Sequence, residues 1–256
     1  MISAEAITCR ATSVSSSRVV ERLYPDILTQ KAHLALSKPV IDVGFFTTDI
    51  DATLGFWRNE FGLACEPPVH FNEVLTQYRH AFGNSIIKIN TSDDPLANTP
   101  TGYRSLLLYS AEYGVQRDLT DPDGNVIKVI PDATAETPYL GLEIAVAHAP
   151  TQARFYADVL GYTQAHDDQY CCGTSPIVLT EDPGAANAGH WIGPGLRYFT
   201  MHVMRVDDCF EQVVRGGATV GEAPYSIGEI ARISFVRDPH DNWIEIAQRA
   251  ELAGPW

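Results

Sequence analysis

The stretch Pro150-Thr-Gln-Ala-Arg-Phe-Tyr-Ala-Asp-Val-Leu-Gly161 decides the fold, because its plan occurs twice. It reads as a short amphipathic helix with proline near its start and glycine just past its end, where helix capping prefers them. The segment before it, Leu140-Gly-Leu-Glu-Ile-Ala-Val-Ala147, reads as a strand. Upstream, Val40-Ile-Asp-Val-Gly-Phe-Phe-Thr-Thr48 is a second such strand, and Asp49-Ile-Asp-Ala-Thr-Leu-Gly-Phe-Trp-Arg-Asn-Glu-Phe-Gly62 a second such helix. Phe56-Trp57 and Phe155-Tyr156 are 99 residues apart, as are Gly62 and Gly161. Further on, Asp121-Pro-Asp-Gly-Asn-Val-Ile-Lys128 parallels Asp238-Pro-His-Asp-Asn-Trp-Ile-Glu245 at an offset of 117. Each is a turn rich in Asp, Asn and Pro that feeds a strand. The chain is a tandem repeat, and its second copy is 18 residues longer.

Each copy reads as strand, helix, three strands, then another strand and a closing hairpin. Copy two carries a further helix, Asp207 to Arg215, that ends at Gly216-Gly217; copy one has only Ala111-Glu-Tyr-Gly-Val115 there, which explains most of the length difference. The expected organisation is an N-terminal extension over 1–38, a first domain over 39–131, a linker over 132–138 and a second domain over 139–250. The extension is polar and Ser-rich to Ser17, then offers Val19, Val20, Leu23, Ile27 and Leu28 as an apolar stripe. It is expected to pack onto the body or onto a second subunit, which makes it a candidate homodimer contact.

Of the 256 residues, 45% are hydrophobic and 20% charged, an ordinary globular composition that excludes a disordered or collagen-like chain. Lys+Arg minus Asp+Glu is 18 − 32 = −14, so the surface repels phosphates and anionic lipids, and neither nucleic acid nor membrane is an expected partner. No apolar run approaches the roughly 18 residues of a membrane span, and the N-terminus lacks a signal-peptide core. The five cysteines form no C-x-x-C pair. Reduced thiols and a cytoplasmic location follow as expectations. The remaining partner class is a small molecule.

The helix pattern Phe-(Tyr/Trp)-x-x-x-(Leu/Phe)-Gly, the strand starts Gly102-Tyr-Arg104 and Gly195-Leu-Arg197, and the two Asp-Pro turns together resemble the vicinal oxygen chelate superfamily over roughly Pro39 to Gln248. That superfamily includes glyoxalase I, extradiol ring-cleavage dioxygenases, fosfomycin-modifying enzymes, methylmalonyl-CoA epimerase and bleomycin-binding resistance proteins. The resemblance implies an α+β fold: tandem domains of paired β-α-β-β-β modules forming open cup-shaped sheets, with the first domain missing its second helix. It also implies four inward positions per cup that usually hold a divalent metal. Here these map to Asp42, Lys88, Ser105 and Lys128 in copy one, and to Gly141, Val178, Tyr198 and Glu245 in copy two. Only Glu245 keeps the ligand chemistry, and one carboxylate cannot hold a catalytic metal that needs about three protein ligands. No cofactor is expected.

In copy one, Asp42, Lys88 and Lys128 are expected to form a salt-bridge plug in a supporting domain. Copy two is expected to carry the site. Strand alternation puts Tyr198, Thr200, His202 and Met204 on one face, and the same parity turns Glu143, Trp243 and Glu245 inward. The expected catalytic group is Tyr198, His202, Glu245 and Glu143, because histidine titrates near neutrality and burial can raise a glutamate. Trp243, Thr200, Met204 and His190 are the expected ligand contacts, with Asp182 to Gly193 long enough to serve as a lid. A metal site displaced onto Glu143, His202 and Glu245 is the alternative. Three functions compete: a metal-independent acid/base isomerase, lyase or cyclase on a small oxygenated or aromatic substrate; an extradiol-dioxygenase-like or glyoxalase-like metalloenzyme; and a sequestering small-molecule (antibiotic) binding protein.

Overall fold

The computed structural model describes residues 34–185 and 189–256, so the expected dimer contact of the extension lies outside the described residues. Four modules follow one another. The first holds β1 (Leu36–Phe46), α1 (Ile50–Phe61), β2 (Val69–His70), β3 (Leu75–Phe82) and β4 (Ser85–Ser92). The second is β5 (Tyr103–Ser110), β6 (Arg117–Thr120) and β7 (Val126–Pro131), with a turn instead of a helix after β5. The third holds β8 (Tyr139–Val146), α2 (Ala149–Arg154) running into a π-helical turn over Phe155–Val159, β9 (Thr163–His166), β10 (Gln169–Cys172) and β11 (Ser175–Glu181). The fourth holds β12 (Gly195–Val203), α3 (Val206–Arg215), β13 (Thr219–Ile227), β14 (Ala231–Arg237) and β15 (Trp243–Arg249), and α4 (Ala250–Ala253) ends the chain.

Local chemistry sets the helix ends. Asp49 caps α1 by accepting from the Ala52 N–H, and Gly62 closes it in the left-handed region at φ 67°. His148 caps α2 by accepting from the Thr151 N–H.

The modules make two curled sheets, and neither is built from one repeat. The first sheet runs β13-β14-β15-β12-β1-β4-β3-β2, joining the fourth module to the first; the second runs β6-β7-β5-β8-β11-β10-β9, joining the second to the third. The seams are antiparallel: Asp42 lies opposite Thr200 and Gly44 opposite Tyr198 in the first sheet, and Ser105 lies opposite Glu143 in the second. Each cup is therefore lined from both repeats, where a cup within each repeat was expected. The reason is steric as well as topological. A Cβ on Gly44 would lie 2.1 Å from Cζ of Tyr198, so the β1–β12 seam uses the one residue of β1 that leaves room for that ring.

Alternation then sorts the faces. Ile41, Val43 and Phe45 of β1, with Phe199, Met201 and Val203 of β12, join Trp57, Leu106, Leu142 and Tyr156 in one core. The opposite faces line the two cups. The Asp-Pro turns tie the sheets together: Asn125 Oδ1 accepts from the Leu196 N–H at 2.9 Å, and Asn242 Oδ1 from the Gly102 N–H at 3.1 Å. Cys171 is disulfide-bonded, which corrects the expectation of reduced thiols throughout, whereas Cys65, Cys172 and Cys209 are free. Among the described residues no helix is long and apolar enough to cross a membrane.

Candidate active site

The first cup encloses a cavity of about 460 Å³ lined from both repeats, with Lys88, Asn90, Tyr198, His202 and Glu245 on its floor. Its floor carries two charge clusters. In one, Lys88 Nζ donates to Glu245 Oε2 and to Thr200 Oγ1, each at 2.6 Å, and the Thr200 hydroxyl also bonds Glu245. Parallel pairing of β12 and β15 puts Thr200 directly beside Glu245, and β4 brings in Lys88 from the other side of β1. Lys88 Nζ also lies 5.6 Å from the centroid of the Tyr198 ring.

In the other cluster, His202 Nε2 is 2.7 Å from Asp42 Oδ2, and Asp42 Oδ1 accepts from Lys38 Nζ at 2.6 Å and from the Ile86 N–H at 2.8 Å. Burial opposes ionisation of Asp42. The His202 hydrogen bond and the charges of His202, Lys38 and Lys88 outweigh it and hold the carboxyl below the usual carboxylate range. With Asp42 ionised, Nε2 carries a proton and donates, which leaves Nδ1 as the free nitrogen. That Nδ1 is buried and has no partner among the described residues.

Tyr198 completes the floor. Burial first, and then the charge of Glu245, push its phenol well above the ordinary value, so it is a neutral donor at pH 7. Its oxygen accepts from Asn90 Nδ2 at 3.3 Å, and Asn90 is tied to Gln77 Nε2 at 2.8 Å. Overhead, Trp191 stacks on Phe235 at 4.6 Å and meets Phe46 and Tyr198 edge-on at 5.7 and 5.9 Å. Its indole N–H donates to Glu222 at 2.6 Å.

Of the expected catalytic group, Tyr198, His202 and Glu245 meet in this cup and Glu143 does not. Glu143 lies in the second sheet, bonded to Ser105 at 2.5 Å and to Lys128 at 2.6 Å. The displaced metal site of Glu143, His202 and Glu245 is therefore not assembled. The expected plug is likewise split, since Asp42 and Lys88 belong to the first cup and Lys128 to the second. Of the expected ligand contacts, Thr200 sits in the Lys88–Glu245 cluster. Met204 lies one residue beyond β12 and is 39% exposed. Trp243 is buried off the cavity, edge-on to Phe235 at 6.1 Å and over Gly221, where a Cβ would meet its ring at 2.4 Å. His190 is exposed and stacks on Trp191 outside the cavity lining. The residues missed were Arg79, Gln77 and Asn90; parity with Lys88 on β4, carried across to its antiparallel neighbour β3, points to all three.

The donor set does not fit a divalent ion. At the family's ligand positions in this cup the Lys88 ammonium rests against Glu245, donating protons where a metal needs lone pairs, and the other carboxylate, Asp42, is taken by His202 and Lys38. Among the described residues no group of three or more His, Cys, Asp or Glu side chains converges to hold one.

Two cups of two modules each are an architecture shared with known proteins. Residues 139–246 match the model of the Glyoxalase/Bleomycin resistance protein/Dioxygenase superfamily. The fold is similar to glyoxalase I from Zea mays, at 16% identity over 81% of this chain and 92% of that one, TM-score 0.66. It is also similar to a putative dioxygenase from Bacillus subtilis, at 11% identity over 85% and 86%, TM-score 0.61. No curated protein matches the chain in sequence. Residues 139–246 carry the match to that superfamily, and the fold of the described residues is that of these solved structures.

Proposed function

We propose that the first cup is the active site of a metal-independent acid/base enzyme, an isomerase, lyase or cyclase acting on a small oxygenated or aromatic substrate. The observation that carries this is the His202–Asp42 pair: an imidazole anchored at one nitrogen by a carboxylate, with the other nitrogen unpartnered in a residue that lines the cavity. An oriented imidazole is a suitable general base near neutral pH. In this reading His202 Nδ1 takes a proton next to a carbonyl. Neutral Tyr198 and the Lys88 ammonium stabilise the developing oxyanion, and Glu245 holds Lys88 in place. One preorganised oxyanion donor is worth about 10²–10³ in turnover.

Deuterium incorporation in D₂O tests this, with chelator present and a panel of enolisable ketones and α-hydroxycarbonyl compounds as probes. Exchange into at least one compound is expected, abolished by His202→Ala and cut about 100-fold by Tyr198→Phe. Elemental analysis of protein purified without chelator is expected to show no stoichiometric iron, zinc or manganese. One tightly held metal per chain, or oxygen uptake with catechols, would overturn the reading in favour of a metalloenzyme. The aromatic wall around Trp191 favours a second reading, sequestration. A compound that raises the melting temperature and is recovered unchanged and unexchanged would support that instead.

A further inference from the structure

We propose that the first cup takes a planar aromatic carboxylate, its carboxylate on the guanidinium of Arg79 and its ring against Trp191, Phe235 and Phe46. This rests on the reading that this cup is the working site, and it names the class of molecule bound there. Alternation along β3 turns Gln77 and Arg79 toward the cavity, while His80 faces the core side and bonds the Ala64 carbonyl at 3.1 Å. The β3–β4 register sets Arg79 directly opposite Lys88. Like charges in that position repel, so the arrangement costs stability unless something neutralises it.

Among the described residues the neighbouring cations each have a direct carboxylate partner, and Arg79 has none. Lys88 is paired with Glu245 at 2.6 Å, Lys38 with Asp42 at 2.6 Å, and Arg249, which also lines the cavity, with Glu251 at 2.9 Å. Arg79 donates its Nε–H to Gln77 Oε1 at 2.9 Å, and among the described residues its two Nη groups meet no acceptor and no carboxylate pairs with it. Burial, and then the charge of Arg249, lower its pKa, against the opposing pull of the Glu66, Glu245 and Asp42 carboxylates, none of which bonds it directly. A guanidinium with no direct carboxylate partner among the described residues leaves donors open to an anion, in a chain of net charge −14. Its fork geometry suits two carboxylate oxygens. A phosphate dianion would also be drawn toward it, but Glu245 on the same floor disfavours the second charge. The opposite wall supplies the apolar half: Trp191 and Phe235 are nearly parallel at 15°, and Glu222 is already engaged by the Trp191 indole. About 460 Å³ holds one substituted ring with its acid group.

The test is calorimetric binding to the full chain with a matched pair of probes, cinnamate and its neutral isostere cinnamamide. Cinnamate is expected to bind about 10- to 100-fold more tightly, as a charge-assisted contact requires. Arg79→Met should erase that preference while leaving cinnamamide affinity unchanged, and Arg79→Lys should restore part of it. Because Arg79→Met removes a repulsion with Lys88, its melting temperature should hold or rise, which a structural arginine would not allow. Equal affinities for the two probes, no binding of either at millimolar concentration, or a preference that survives Arg79→Met would overturn the proposal. Binding needs no turnover, so the two readings fail separately. A lost preference with deuterium exchange intact refutes the carboxylate site alone, and an intact preference without exchange refutes the acid/base reading alone.

Discussion

Replacing Lys88 with methionine isolates what the ammonium does at the centre of the cup. Its Nζ lies 2.6 Å from Glu245 Oε2, and the two side chains are 7% and 9% exposed. An exposed pair of this kind would contribute about 0–1 kcal/mol. Here the variant leaves a carboxylate with the Thr200 hydroxyl as its remaining partner in the cluster, and removing one member of a buried pair costs about 3–5 kcal/mol. For a chain of this size about 2–4 °C of melting temperature accompanies each kcal/mol, so Lys88→Met should melt roughly 6–20 °C below the wild type. The double variant Lys88→Met/Glu245→Leu removes both charges and should recover most of that loss, since an apolar replacement of a buried pair is often neutral. Urea titration of the four corners of this cycle should give a coupling of about 3 kcal/mol at unchanged slope. If the two single losses simply add in the double variant, Lys88 and Glu245 are not a pair and the assignment of Lys88 to the metal's place falls.

Three further outcomes follow from the same geometry. Asp42→Asn removes the ionised acceptor of His202, Lys38 and Ile86 and should cost about 2 kcal/mol at pH 7. Since the folded carboxyl titrates below its unfolded value of about 3.9, its contribution is complete above that pH and is lost as the pH falls through the lower folded value. The gap between wild type and variant should therefore narrow below about pH 4, and a gap of constant size in unfolding curves would contradict the assignment. Gly44→Ala pushes a Cβ into the Tyr198 ring and should cost about 1–3 kcal/mol; Tyr198→Ala in the same chain should relieve much of it, as thermal melts would show. Residues 139–256 expressed alone lack β1 beside β12, and β5 beside β8. They should show no cooperative unfolding until co-expressed with residues 34–131.

The repeat, the strand faces and three floor residues were readable because they depend on local periodicity. Alternation along Gly195–Val203 is enough to put Tyr198, Thr200 and His202 on one side, and the two Asp-Pro turns mark where β7 and β15 begin. Pairing between modules was not readable. The seam strands β1, β5, β8 and β12 share one pattern, apolar on the core face and mixed on the other, so several antiparallel pairings satisfy it equally. The contacts that distinguish them, Asp42 with His202 and Lys88 with Glu245, span 160 and 157 residues. Parity also fails at strand ends: Met204 has the inward phase, but β12 stops at Val203 and the chain turns into α3. Phe71 to Val74 is a turn rather than a strand because Asn72 Oδ1 takes the N–H groups of Val74 and Leu75.

Module exchange also bears on the proposal that the chemistry sits in the first cup and not in the second. Both have a lysine against a glutamate on the cup face, Lys88 with Glu245 in the first and Lys128 with Glu143 in the second, each at 2.6 Å. The pairs nevertheless differ in environment. Lys128 and Glu143 are 30% and 24% exposed, so water screens them and their mutual attraction is worth little. The first pair is almost dry because Trp191, Phe235 and Phe46 close over the floor, and in a dry site a fixed ammonium acts strongly on any charge that develops nearby. The first cup alone adds an imidazole, held by a carboxylate from the other repeat. The second sheet has the same ion pair, more open to water and, among the described residues, without a carboxylate-held histidine beside it, which fits the supporting role proposed for it. On that proposal any division of labour runs between the sheets, and each repeat contributes strands to both.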